Sequence, residues 1–244
     1  MRLLIDIETS PMIAEVWGMY DQNLSWDMIS KHTEVLCWTA IDLDTGKCYQ
    51  DSQHLHKTNH EMRVVRSLFK LFDAADVLIA HNGDRFDIPM MTARFVKYGL
   101  GRPSPYKTID TLKVARSHFK FPSNRLDHLA DFLGVARKNK MNYSDWKGCL
   151  QGDIKAFRKM LAYNKKDVLV LKQVYQKLLP WIKQPVVTHG CACPACNSKK
   201  IRARGYTVNQ CGRYQRYQCQ SCGSWFQDRY KYKHDSRKAR VKSI

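Results

Sequence analysis

The sequence predicts an α/β chain, a mixed sheet flanked by helices, followed by a small cysteine-rich unit. Three observations carry that expectation. The apolar run Leu3-Leu4-Ile5 begins almost at the N-terminus and reads as a buried strand. Along residues 1–182 the apolar spacing then switches between strand and helix periods several times. Finally, two Cys-x-x-Cys pairs lie close to the C-terminus. Paired strands first, then strands alternating with helices, suggest helices packed on a mixed sheet.

Taken in order, residues 2–7 form the first strand. Residues 34–43 and 47–51 read as a hairpin turning around Asp44-Thr45-Gly46. Residues 61–72 place Met62, Val65, Leu68, Phe69 and Phe72 at helical spacing. Val77–Ala80 is a short apolar strand, and His81-Asn82-Gly83 turns the chain. Residues 88–98 form a helix closed by Gly99, a favoured residue just past a helix end. A short strand follows over 108–112, then a helix over 126–133 ended by Gly134. Residues 153–181 make one long or broken helix. At Gln184-Pro185 the composition shifts to Cys, Arg, Tyr and Gln. These features divide the chain into residues 1–182, residues 186–233 and a basic tail, 234–244.

Hydrophobic content of 44% and charged content of 26% fit a globular protein, and the formal net charge is +19. A charge of that size favours a polyanionic partner. Residues 183–244 hold 14 Lys or Arg against two Asp, whereas residues 1–182 hold 27 against 20 acids. Asp6 interrupts the opening apolar run, so no signal-peptide core forms, and no apolar run is as long as a membrane span. Nine cysteines without a secretion signal argue against a disulfide framework. A cytoplasmic location away from membranes is the expectation.

Three short segments carry acids where an apolar core would be expected. Asp6 and Glu8 alternate with Ile5 and Ile7, so both carboxylates share one face of the first strand. Two such groups repel each other unless a cation sits between them. In His81-Asn82-Gly83-Asp84-Arg85-Phe86-Asp87, Gly83 permits a tight turn, Phe86 anchors the next helix, and Asp87 faces outward from its first turn. Tyr163 and Asp167 lie four apart on the last helix, so hydroxyl and carboxylate can meet.

Together these segments resemble the DEDD superfamily of 3′→5′ exonucleases, which have a ribonuclease H-like fold. Asp6-Ile7-Glu8 matches the first motif, Asp-x-Glu. Asn82, Phe86 and Asp87 match Asn-x-x-x-Phe/Tyr-Asp, as in the proofreading exonuclease domain of family B DNA polymerases. Tyr163 and Asp167 match Tyr-x-x-x-Asp of the tyrosine branch, and Ala162 stands where a histidine branch carries His. The motifs occur in order across nearly all of residues 1–182.

The resemblance implies Asp6, Glu8, Asp87 and Asp167 as ligands of two Mg2+ or Mn2+ ions, with Asp6 bridging. Glu8 and Asp167 would complete the first site, Asp87 would serve the second partly through water, and Tyr163 would orient the attacking water. Asn82 and Phe86 would meet nucleic acid. Asp84, Asp110, Asp127 and Asp131 read as caps or surface charges, with Asp110 the one able to reach the site.

Cys193-Pro194-Ala195-Cys196 and Cys219-Gln220-Ser221-Cys222 are separated by 22 residues. Four thiolates at this spacing suit one tetrahedral structural Zn2+, making this segment a zinc ribbon. Its residues resemble ribbons attached to transposases. Cys191, Cys211, Cys37, Cys48 and Cys149 read as non-ligands. Arg202, Arg204, Arg213 and Arg216 are the expected phosphate contacts, with aromatic rings between them for stacking on bases.

The expected function is metal-dependent removal of nucleotides from a single-stranded 3′ end, DNA favoured over RNA, with the ribbon aiding substrate binding. A structure-selective endonuclease, an RNA-trimming exonuclease and a non-catalytic adaptor stay open, as does a protein partner at the ribbon.

Overall fold

The computed structural model describes residues 1–58, 60–135, 141–182, 192–209 and 212–227. The chain divides into two compact units, Met1–Leu178 and Leu179–Ile244. In chain order the first contains β1 (Arg2–Thr9), β2 (Ile13–Ala14), β3 (Ile29–Lys31), β4 (Val35–Asp42), β5 (Cys48–Ser52), α1 (His60–Ala74), β6 (Val77–Ala80) and α2 (Asp87–Lys97). It continues with β7 (Lys107–Asp110), α3 (Thr111–His118), α4 (Leu126–Phe132), α5 (Tyr143–Leu150) and α6 (Ile154–Leu178).

The main sheet has the order β5-β4-β1-β6-β7. β4 runs antiparallel to both β1 and β5, while β6 runs parallel to β1 and to β7. This is the mixed, helix-flanked sheet that the periodicities predict. The β4–β5 hairpin turns where expected. Asp42 organises it by accepting the Asp44 N–H and the Thr45 hydroxyl, and Gly46 supplies the left-handed φ of 75°.

Strand alternation divides the core. Leu3, Ile5 and Ile7 of β1 join Trp38 and Ala40 of β4 in a cluster with Val64, Val65, Leu68 and Phe72 of α1 and Met91 and Phe95 of α2. Full burial of side chains such as Leu68 and Phe72 contributes roughly 1.5–3 kcal/mol each. Helix α6 packs against β1 and β4. Cys37 of β4 and Cys149 of α5 meet Phe157 and Met160 of α6 in a smaller core. Along α6 the buried stripe is interrupted by two polar residues, Asn164 and Asp167.

One expectation needs correction. The strand read over 108–112 stops at Asp110, and Thr111–His118 is helix α3. Asp110 accepts the Leu112 N–H, so an N-cap replaces the next ladder bond. The last helix is unbroken from Ile154 to Leu178, and only Leu179–Trp181, with Pro180 at its centre, tightens into a 3-10 turn. Helix α5 and the small β2–β3 ribbon are additions for which the periodicity gave no sign.

The second unit holds a three-stranded antiparallel sheet, β8 (Ile201–Asn209), β9 (Gly212–Cys219) and β10 (Trp225–Gln227), in the order β10-β9-β8. The expected boundary at Gln184-Pro185, the tail 234–244, Cys191 and Cys211 lie outside the described residues. Among the described residues no helix is long and apolar enough to cross a membrane.

Candidate active site and metal-binding clusters

β1 delivers the first two carboxylates. Its parallel pairing with β6 covers Arg2 to Leu4 only, so the end of β1 that carries Asp6 and Glu8 extends past that neighbour. Asp6 lies opposite Thr39 and Glu8 opposite Cys37 on β4. Helix α6 brings Asp167 to the same place, and oxygens of Asp6, Glu8 and Asp167 all lie within 4.8 Å of one another. Asp167 is buried, and Asp6 and Glu8 are partly so.

Two residues of α6 tie this group together. Asn164 donates its amide to Asp6 Oδ2 at 2.7 Å. The Tyr163 hydroxyl hydrogen-bonds Asp167, and burial followed by the charges of Asp167 and Glu8 pushes its pKa well up, so it stays protonated at neutral pH. Trp146 of α5 packs edge-on against the Tyr163 ring, 6.3 Å between centroids, and donates its indole N–H to the Thr9 carbonyl at 3.2 Å. Asn164 and Trp146 escape the sequence motifs. For Asn164 a signal existed, since it lies three residues before Asp167 on one helix face.

Asp87 does not join the cluster of three. It opens α2 but is only 2% exposed, which corrects the outward direction expected for it. β6 ends at Ala80, and beyond that end the Ile7 N–H donates to Asp87 Oδ1 at 3.1 Å. Burial pushes the Asp87 carboxyl up to about 7; the Ile7 N–H opposes the rise and the Asp110 charge adds to it. Gly83 makes the placement possible: a Cβ there would come within 2.3 Å of Ala80 Cβ and 3.7 Å of Asp87 Oδ2.

Asp110 is a clamp on the turn before α2. It accepts the backbone N–H of Asn82 at 2.9 Å as well as capping α3. Asn82 itself adopts a left-handed φ of 67°, and His81 lies between the Thr111 hydroxyl and the Asn124 carbonyl, both at 2.9 Å. Phe86 is 40% exposed rather than an anchor in the core. Asp84 pairs with Lys113, and Asp127 with Arg125 and the His128 N–H.

Three carboxylates this close repel one another, which a cation relieves. The donor set is all oxygen, with no thiol or imidazole in the group, and so fits a hard divalent ion.

The second cluster is sulfur. The thiols of Cys193, Cys196, Cys219 and Cys222 lie within 4.8 Å of one another and could hold a metal ion. The two Cys-x-x-Cys turns have matching backbones. Ala195 N–H points at Cys193 Sγ and Ser221 N–H at Cys219 Sγ, each at 3.4 Å. Asn197 and Gly223 take left-handed φ at the same place after each second cysteine. These amides help hold a thiolate. On the strands between, Arg202, Arg204, Arg213 and Arg216 are exposed. Arg213 lies 3.7 Å over the Tyr206 ring and Arg216 5.1 Å over Trp225, so two of the four stack on the unit's own aromatics.

Residues 29–179 match the family model RNase_H_2 of the RNase_H superfamily. The chain is also similar to the DNA polymerase III PolC-type of Ureaplasma parvum serovar 3 (strain ATCC 700970), 35% identical over 81 residues. That stretch is 32% of this chain and 5% of the polymerase, so the chain spans a small part of the relative's length. The family match begins after β1, covers more than half of the chain, and takes in β4 to β7 with the α6 residues Tyr163 and Asp167. On that match the protein belongs to the RNase_H superfamily.

Proposed function

We propose that the protein is a metal-dependent 3′→5′ exonuclease of the tyrosine branch of the DEDD group, acting on single-stranded nucleic acid with DNA favoured over RNA. One observation carries the reading: Asp6, Glu8 and Asp167, distant in sequence, present oxygens within 4.8 Å of one another, with Tyr163 bonded to Asp167.

In this reading residues 1–182 perform the chemistry. Asp6, Glu8 and Asp167 would hold one Mg2+ or Mn2+, and Asp87 together with Asp6 would serve a second. Bound divalent ions acidify a water and stabilise the charge on attacking and leaving oxygens. Tyr163, kept protonated, positions that water as a hydrogen-bonding group rather than as a base. Asn164 fixes the orientation of Asp6. Asn82 and Phe86 meet the substrate beside Asp87. Residues 186–233 form a ribbon around one structural Zn2+, and Arg202, Arg204, Arg213 and Arg216 add phosphate affinity there, followed by the basic tail 234–244.

End-labelled DNA and RNA oligonucleotides with and without EDTA test this. Mononucleotides should leave the 3′ end with Mg2+ or Mn2+. Asp6→Ala and Asp167→Ala should each lose on the order of 10³-fold in rate, because several kcal/mol of charge stabilisation is at stake. Equal activity in both variants would place the nuclease elsewhere, and cutting of a circular single strand would convert the reading to an endonuclease.

A further inference from the structure

Beside the carboxylates lies a cavity of about 1000 Å³ whose wall includes Tyr163, Asn82, His81, Arg116, Asn124 and Arg125. Tyr163 and Asn82 make it continuous with the site. The remaining wall comes from α3, α4 with its Asp127 and Asp131, the chain between them, and Met141 and Asn142 just before α5. Residues 111–125 carry Lys113, Arg116, Lys120 and Arg125 without a single acid. That is a local cationic run inside a region whose charges are otherwise almost balanced. Arg116 and Arg125 are both exposed, and the pairing of Arg125 with exposed Asp127 at 3.3 Å is too solvated to hold it against a stronger anion.

Asn124 Oδ1 is buried and has no hydrogen-bond partner among the described residues. His81, bridging Thr111 and the Asn124 carbonyl, fixes this part of the wall to the turn that carries Asn82.

We propose that this cavity seats the stretch of single strand running into the carboxylate site, with Arg116 and Arg125 as phosphate contacts. The proposal rests on the hydrolase reading for its orientation but not for its test. Two cations at a polar, roomy wall suit a flexible polyanion, because each phosphate contact releases counterions whatever the base. A strand held there meets Tyr163 before it meets the acids.

The test uses the full chain and a fluorescein-labelled oligothymidylate, followed by anisotropy at several salt concentrations without added divalent ion. Arg116→Ala with Arg125→Ala should weaken binding at least tenfold and make the plot of log affinity against log salt shallower by about 1.4, at about 0.7 per lost contact. Arg63→Ala with Arg66→Ala removes the same charge from exposed positions on α1, which packs on the opposite side of the sheet, and should leave that slope unchanged. Should the alanine pair melt early, Arg116→Gln with Arg125→Gln keeps the side-chain bulk and should give the same slope. Identical behaviour of the two sites would overturn the cavity proposal. Cleavage assays on the same proteins separate the two ideas. Wild-type binding without metal-dependent cleavage would end the hydrolase reading and leave the cavity, whereas cleavage with alike binding in both double variants would do the reverse.

Discussion

Asp87 holds its position at the cost of its charge. Its carboxyl is raised from 3.8 to about 7, because burial disfavours the charged form. The native state therefore holds a proton that the unfolded chain releases between about pH 4 and 7. Linkage makes metal-free stability fall as pH rises through that window and level off above it. Asp87→Asn keeps an acceptor for the Ile7 N–H and removes the charge. Thermal melts of the metal-free variant should lose that slope, and at pH 8 it should melt a few degrees higher than wild type, at about 2–4 °C per kcal/mol. A wild-type melting temperature that does not fall from pH 4 to 7 would contradict the placement of Asp87. Its inward direction was hidden in the sequence, because it depends on β6 ending at Ala80 while β1 continues past it. Asp6, Glu8, Tyr163 and Asp167 were legible instead, since period two on a strand and period four on a helix settle which side chains share a face.

The elements most visible in the sequence were those whose periodicity is long. Helix α1 repeats apolar residues over fifteen positions, and α6 over twenty-five. α3 was missed because Thr108-Ile109-Asp110-Thr111-Leu112 reads as a strand until Asp110 is recognised as an N-cap. Between β6 and α2, geometry leaves no room for a side chain at Gly83. Gly83→Ala drives a methyl into Ala80, so the turn must shift and Asp87 with it. Overpacking of this kind costs about 1–3 kcal/mol, and a displacement near 1 Å at a catalytic group costs on the order of 10²-fold in rate. Melting curves and the oligonucleotide assay should show both losses together. A variant with wild-type stability and activity would mean that the turn is not under this constraint.

Over the whole molecule, the proposals place the chemistry in the first unit and divide substrate affinity between that unit's cavity and the second unit. Among its described residues the second unit buries few large side chains beyond its cysteines, so metal would supply most of its folding free energy. Cys196→Ser with Cys219→Ser should abolish zinc retention by elemental analysis, leave the melting of the first unit in place, and weaken oligonucleotide binding with a shallower salt dependence. Unchanged binding would reassign the ribbon to a protein partner. The cluster of four cysteines was plain from spacing alone, whereas the stacking of Arg213 and Arg216 on Tyr206 and Trp225 depends on strand register across β8, β9 and β10. In the proposed function, catalysis in the first unit depends on three acids acting as one ligand set. Crystals soaked in Mn2+ and measured for anomalous scattering test that most directly. A peak bonded to Asp6, Glu8 and Asp167, and absent in Asp167→Asn, is the predicted result. Manganese bound at another place, or the same peak in the variant, would contradict it.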